Sequence, residues 1–113
     1  MKDFLELTGR LKKAPADELR KEESGYLELV FSIQNLPKIY PVLEEFFGLP
    51  FKPAGVAPSK EAVLRAADYG GVEKHQTLYY SEEDGVSKCA MIWPWQDKTK
   101  ATVKVAQGKI SRQ

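Results

Sequence analysis

Cysteine and histidine are almost missing from this chain: its 113 residues include one of each. A single thiol cannot cross-link a monomer, and one Cys with one His cannot build a zinc cage, so no metal site is expected. Long apolar runs are missing too. None approaches the ~20 residues of a spanning helix, and no membrane role is expected. A secretory signal needs roughly 7–15 uninterrupted apolar residues. Here Phe4-Leu5-Glu6-Leu7 gives way to Arg10, Lys12 and Lys13. One unpaired thiol fits a reducing compartment, and the cytoplasm is the expected location. Net charge is nearly absent, with 17 Lys+Arg against 16 Asp+Glu. Bulk charge therefore names no polyanionic partner. Neither G-x-x-x-x-G-K-[ST] nor G-x-G-x-x-G occurs. That removes the common phosphate-binding loops, and no cofactor is expected.

What remains is ordinary for a globular chain, 42% apolar and 29% charged. The length falls within the roughly 100–200 residues of one domain. A chain of this size buries about two-thirds of the surface it exposes when unfolded. We expect a single α+β domain over 1–113, with the tail 108–113 frayed.

Hydrophobic spacing divides the chain. Phe4, Leu7, Thr8 and Leu11 recur at i, i+3, i+4, i+7, which predicts a helix over 2–13 that Ala14-Pro15 ends. Residues 16–24 are nearly all polar and read as a short exposed helical turn; the rival is a charged edge strand turned back at Ser24-Gly25. Residues 26–34 alternate, with Leu27, Leu29, Phe31 and Ile33 on one side, and only Val30 breaks the pattern. Asn35-Leu36-Pro37 opens a helical stretch with Ile39, Tyr40, Leu43 and Phe47 at helical spacing, kinked or restarted at Pro41 and stopped by Gly48. Residues 49–58 form a proline-rich loop. Ser59 caps a helix over 60–69 with Val63, Ala66 and Ala67 as its buried side. Three strands follow: from Thr77, from Val86 to Trp93 and from Lys100 to Gln107. Asp84-Gly85 turns the first pair. In the last, Ala101, Val103 and Val105 point inward and Lys100, Thr102 and Lys104 outward. The expected architecture is a two-layer sandwich: a four-stranded antiparallel sheet, made of this meander plus strand 26–34, with the helices on one face.

The chemistry-bearing residues do not converge. A reactive thiol needs a base or cation beside it. The hairpin sets His75 opposite a residue near 92–94, three to five positions from Cys89, or roughly 10–16 Å along a strand. Hydrogen bonding needs about 3 Å. No catalytic residue is therefore assigned. Cys89 reads as a buried small hydrophobe and His75 as a solvated edge residue. Glu22/Glu23, Glu44/Glu45 and Glu82/Glu83 are adjacent in sequence, so neither helix nor strand puts a pair on one face. Pro58-Ser59-Lys60 can hold an anion at a helix start, although ordinary capping explains it.

Trp93-Pro94-Trp95 is the least ordinary triplet, since it holds both tryptophans. Either Trp93 plugs the core and Trp95 lids it, or the pair marks an interface. Charge is also uneven along the chain. Residues 86–113 hold six basic groups against Asp97, a net of +5, whereas residues 29–85 hold five basic and eight acidic groups, a net of −3.

Three functions follow as expectations. The first is a non-catalytic binding or interaction module that takes a small-molecule ligand, a second copy of itself or another protein partner beside the sheet. Phe51, Tyr79, Trp93 and Trp95 are its ligand or interface residues. The second is nucleic-acid binding through Lys88, Lys98, Lys100, Lys104 and Lys109, although strand lysines also guard edges against aggregation. The third is a small enzyme with a site between loop 49–58 and the sheet, where His75, Tyr79 or Tyr80 acts with Lys60 or Arg65.

Overall fold

The fold is seen in a computed structural model, which describes residues 4–109. Helix α1 (Phe4–Lys13) buries the predicted stripe of Phe4, Leu7, Thr8 and Leu11. β1 (Glu18–Glu23) and β2 (Tyr26–Ser32) form a hairpin. A 3-10 turn, Leu36–Ile39, leads into α2 (Tyr40–Phe47), with Pro41 in its first turn. After loop 49–58 come α3 (Lys60–Ala66) and a 3-10 turn, Ala67–Tyr69. β3 (Thr77–Glu83), β4 (Val86–Pro94) and β5 (Lys100–Lys109) complete the chain.

The sheet has five antiparallel strands in the order β1-β2-β5-β4-β3. The additional strand is β1, whose side chains are all exposed. The stretch Glu-Leu-Arg-Lys-Glu-Glu is thus a charged edge strand and not a helical turn. Its shape is set by pairing with β2, which no hydrophobic period in its own sequence announces. A register shift between Leu19 and Lys21 bulges it, and bulge and charge together blunt that edge. The opposite edge, β3, is partly covered where Lys52 bridges Leu78 in antiparallel fashion. Asp84 and Gly85 both have positive φ (52° and 77°), as a two-residue turn matching strand twist requires.

Helices lie on both faces, not on one. Leu27, Leu29, Phe31, Tyr79, Ala90, Ile92, Ala101, Val103 and Val105 pack beneath α1 and α2 on the first face. Leu78, Cys89, Met91 and Ala106, of the opposite parity, pack with Ala62 and Ala66 of α3 on the second. Val30, the exception in the alternation of β2, is fully buried. α3 itself is turned differently from expectation: Ala62 and Ala66 are buried while Val63 is 48% exposed and Leu64 69%. The small alanines let the helix approach the sheet closely. Ser59 caps α3 as predicted, its hydroxyl accepting from the Ala62 N–H at 3.1 Å. Gly108 and Lys109, expected to fray, instead pair with Ser87 and Val86. Residues 110–113 of that expected tail lie outside the described residues.

Lys52 ties loop 49–58 down. Its ammonium donates to the carbonyls of Pro53 (3.0 Å), Lys74 (2.8 Å) and Gln76. Backbone bonds between Lys52 and Leu78, both 3.0 Å, complete the attachment. Burial lowers the Lys52 pKa, and the three carbonyls supply the partners that a buried ammonium needs.

Candidate functional site

Cys89 pairs with Tyr80, and Thr77 pairs with Ile92. His75 lies two residues before β3 and is exposed, with Nδ1 3.7 Å from a Glu73 oxygen. His75 is five positions from Tyr80, the partner of Cys89, and lies outside the strand, so the exposed imidazole and the buried thiol are not brought together. Burial pushes the Cys89 thiol up to about 12 from 9.0. A thiol so held stays protonated and is a poor nucleophile at neutral pH. The residues expected of the enzyme reading divide between the faces. Tyr79 packs on the first, its ring 5.9 Å from that of Phe47. Tyr80 lies on the second, with Arg65 stacked 5.2 Å above it. Arg65 binds Glu61 (2.5 Å) and Glu82 (3.2 Å), and the Tyr80 hydroxyl donates to Glu82. Lys60 is exposed.

Trp93 and Trp95 share the second face, because β4 runs through Pro94 and period 2 is preserved. Both are half-buried. The Trp95 N–H donates to the Thr102 hydroxyl at 2.9 Å, so Thr102, expected to point outward into solvent, is buried. Trp93 packs against Gly70, where an added Cβ would lie 2.5 Å from the indole. Each indole also carries cations: Lys104 Nζ sits 3.4 Å above Trp93, and Arg20 and Lys100 lie 5.5 and 5.7 Å from Trp95. The remaining expected ligand residues do not join them. Phe51 is 44% exposed and pairs with Tyr80 across 5.9 Å, whereas Tyr79 is on the first face.

The five lysines of the basic C-terminal segment are dispersed. Lys100 and Lys104 are on the second face with the tryptophans. Lys88 pairs with Ser81 and Gln107 on the first. Lys98 occupies a turn with φ 62°. Of Lys109 only the strand position opposite Val86 is described. Around the tryptophans, Arg20, Lys21, Lys100 and Lys104 meet Asp17, Glu18, Glu23 and Glu28. Three of the cations are already paired: Arg20 with Glu18 at 3.1 Å, Lys21 with Glu23 at 3.5 Å and Lys100 with Asp17 at 3.5 Å. The surface is charged but has no net sign.

Three clefts open on the first face; one of about 100 Å³ lies between α1, α2 and the β3–β4 hairpin, and the other two are larger. Of these two the larger, about 570 Å³, lies between the Phe4 end of α1 and the hairpin end of the sheet. Phe4, Leu5 and Thr8 of α1 form one wall, and Leu27 and Val86 of the sheet form the floor. Glu22, Glu23, Glu83 and Asp84 rim it, with Lys88 as the one basic group of the lining. The smaller, about 250 Å³, lies between α2, loop 49–58 and the start of β3. Tyr79 is the only expected ligand residue in either. The larger cleft has no motif to reveal it, because its walls come from the ends of four elements far apart in sequence. Among the described residues no group of three or more His, Cys, Asp or Glu could hold a metal ion, and no helix is long and apolar enough to cross a membrane.

The site and fold thus define an α+β domain with a five-stranded antiparallel sheet. Comparison with protein-family models, curated proteins and solved structures gives no match.

Proposed function

We propose that this protein is a non-catalytic binding module that takes an apolar ligand in the cleft between α1 and the hairpin end of the sheet. The observation carrying this reading is the cleft itself. At about 570 Å³ it falls within the ~300–1,000 Å³ of small-ligand sites. Phe4, Leu5, Leu27 and Val86 line it with carbon beside the polar side chains of Thr8, Lys88 and Gln107, the mix of apolar contact and a few orienting polar groups that small-ligand sites use. Glu22 and Glu23 already pair with Lys12 and Lys21, which leaves Glu83 and Asp84 against Lys88 and favours a neutral or cationic ligand over an anionic one. The test is titration with Nile red, a neutral environment-sensitive dye. Saturable one-site binding is expected, lost when Thr8→Trp fills the cleft. Absence of saturable binding, or binding indifferent to Thr8→Trp in a folded variant, rejects the reading.

Nucleic-acid binding has less support. Stacking requires free aromatic faces and phosphate binding a net positive field. Here Trp93 and Trp95 already carry cations, and nearby carboxylates balance those cations. A sheet-to-sheet dimer is also poorly supported, since β1 is bulged and charged and β3 is bridged by Lys52.

A further inference from the structure

Beyond that reading, we propose that the cleft between α2, loop 49–58 and the start of β3 is a second site, which binds a primary ammonium group on a short apolar stem. Local periodicity assembles it. Tyr40 and Glu44 are one turn apart on α2, and Thr77 and Tyr79 alternate onto the same face of β3. Pro50 and Pro53 of the loop close the remaining side with carbon. The volume, about 250 Å³, suits a head group with a few carbons.

The sign of the ligand follows from the lining. Its one charged side chain is the Glu44 carboxylate, and no Lys, Arg or His contributes. Glu44 has no ion-pair partner among the described residues. Lys52, between the two lining prolines, is committed elsewhere, its ammonium buried against the carbonyls of Pro53, Lys74 and Gln76, and Lys38, the nearest cation in sequence, does not line the cleft. The same attachment fixes the proline wall, so the cleft is formed before a ligand arrives, which lowers the ordering cost of binding. Tyr79 is 4% exposed, yet its hydroxyl makes no hydrogen bond to a described residue. Tyr40 and Glu44 line the same cleft as Tyr79, which gathers the three side chains around one space. An anion entering there meets a carboxylate and no compensating cation. An ammonium meets a carboxylate, two phenol oxygens and the Thr77 hydroxyl. Oxygen acceptors reward N–H donors, so a primary ammonium is favoured over a quaternary one.

The probe is n-butylammonium chloride at constant ionic strength, read by amide chemical shifts of Thr77 and Tyr79 in the intact chain. Saturation is expected with a dissociation constant on the order of millimolar, as small fragments allow. Glu44→Gln, an exposed position that leaves the core untouched, is expected to weaken binding about tenfold. Tyr79→Phe, which keeps the buried ring, is expected to weaken it about threefold. Tetramethylammonium and butyrate serve as controls and are expected to bind at least about fivefold more weakly. Failure to saturate, equal binding of either control, or an unchanged constant in Glu44→Gln overturns the proposal. None of these outcomes depends on Nile red binding at the larger cleft.

Discussion

The two faces of the sheet are built from different materials. The first face presses Phe31, Leu27, Leu29, Ile92, Val103 and Val105 against leucines and phenylalanines of two helices. The second sets Leu78, Ala106, Cys89 and Met91 against Ala62 and Ala66 of one short helix. Large branched side chains remove much apolar area from water per residue, whereas alanines buy closeness at the expense of area. The first face is therefore the main source of stability. The second is finished by aromatic rings and lysine stems, with Trp93 and Trp95 half-buried at its border. Even their polar tips differ: the Trp95 N–H has Thr102, while that of Trp93 is sealed from solvent with no acceptor among the described residues.

The contrast breaks first at Phe31. Phe31→Ala empties the centre of the first face and is expected to cost about 3–5 kcal/mol in chemical denaturation. A loss under 1 kcal/mol would mean that this face is not the principal core. Gly70→Ala probes the second face. The residue has φ 100°, and its missing Cβ makes room for Trp93. The substitution is expected to cost about 2 kcal/mol and to shift tryptophan fluorescence, since the indole must move.

A third test uses pH. The Cys89 thiol is buried under α3 and its pKa is pushed up to about 12 from 9.0. Above pH 9 the unfolded chain releases this proton first, so the unfolded state is favoured. Stability present below pH 9 is then lost between 9 and 12, approaching about 1.4 kcal/mol per pH unit for this one group. Denaturation at pH 8 and pH 10 should show the fall in the wild type and a flatter response in Cys89→Ala. The smallest expected effect is at Lys104. Lys104→Met keeps the stem but removes the charge above Trp93, with a loss of about 0.5–1 kcal/mol by the same denaturation assay. A double change with Trp93→Leu should be less than additive if the pair interacts.

Much of the first face was legible in residue spacing. The stripe Phe4-Leu7-Thr8-Leu11, the alternation of Leu27, Leu29 and Phe31, and the Asp84-Gly85 turn each carry a physical signature in a few consecutive residues. The second face left a fainter one. Cys89-Ala90-Met91-Ile92-Trp93 is unbroken by a charge, as a strand covered on both sides requires, and Val30 is apolar where alternation wants a polar residue. Neither was enough to reveal a helix on that side, because α3 docks through alanines that leave little mark in a hydrophobic period. β1 was legible only as the rival to a helical turn, because pairing with β2 makes it a strand and its charged residues fit a helix equally well in isolation. The clefts were outside the reach of spacing arguments. They form where elements end, and ends are fixed by tertiary packing.

Lys52 has one more implication, for motion. The residues from Pro53 to Gln76, α3 among them, leave the sheet and return to it at a junction gathered by one side chain. That ammonium acts as a reversible buckle across the base of a strap. Freeing the strap takes the loss of this junction together with the contacts of Ala62, Ala66 and Arg65 on the second face, while the β1–β2, β2–β5 and β4–β5 ladders stay paired. Local opening of such a unit runs at lower free energy than global unfolding. Hydrogen exchange would then find the amides of α3 surrendering protection together, well ahead of those in β5.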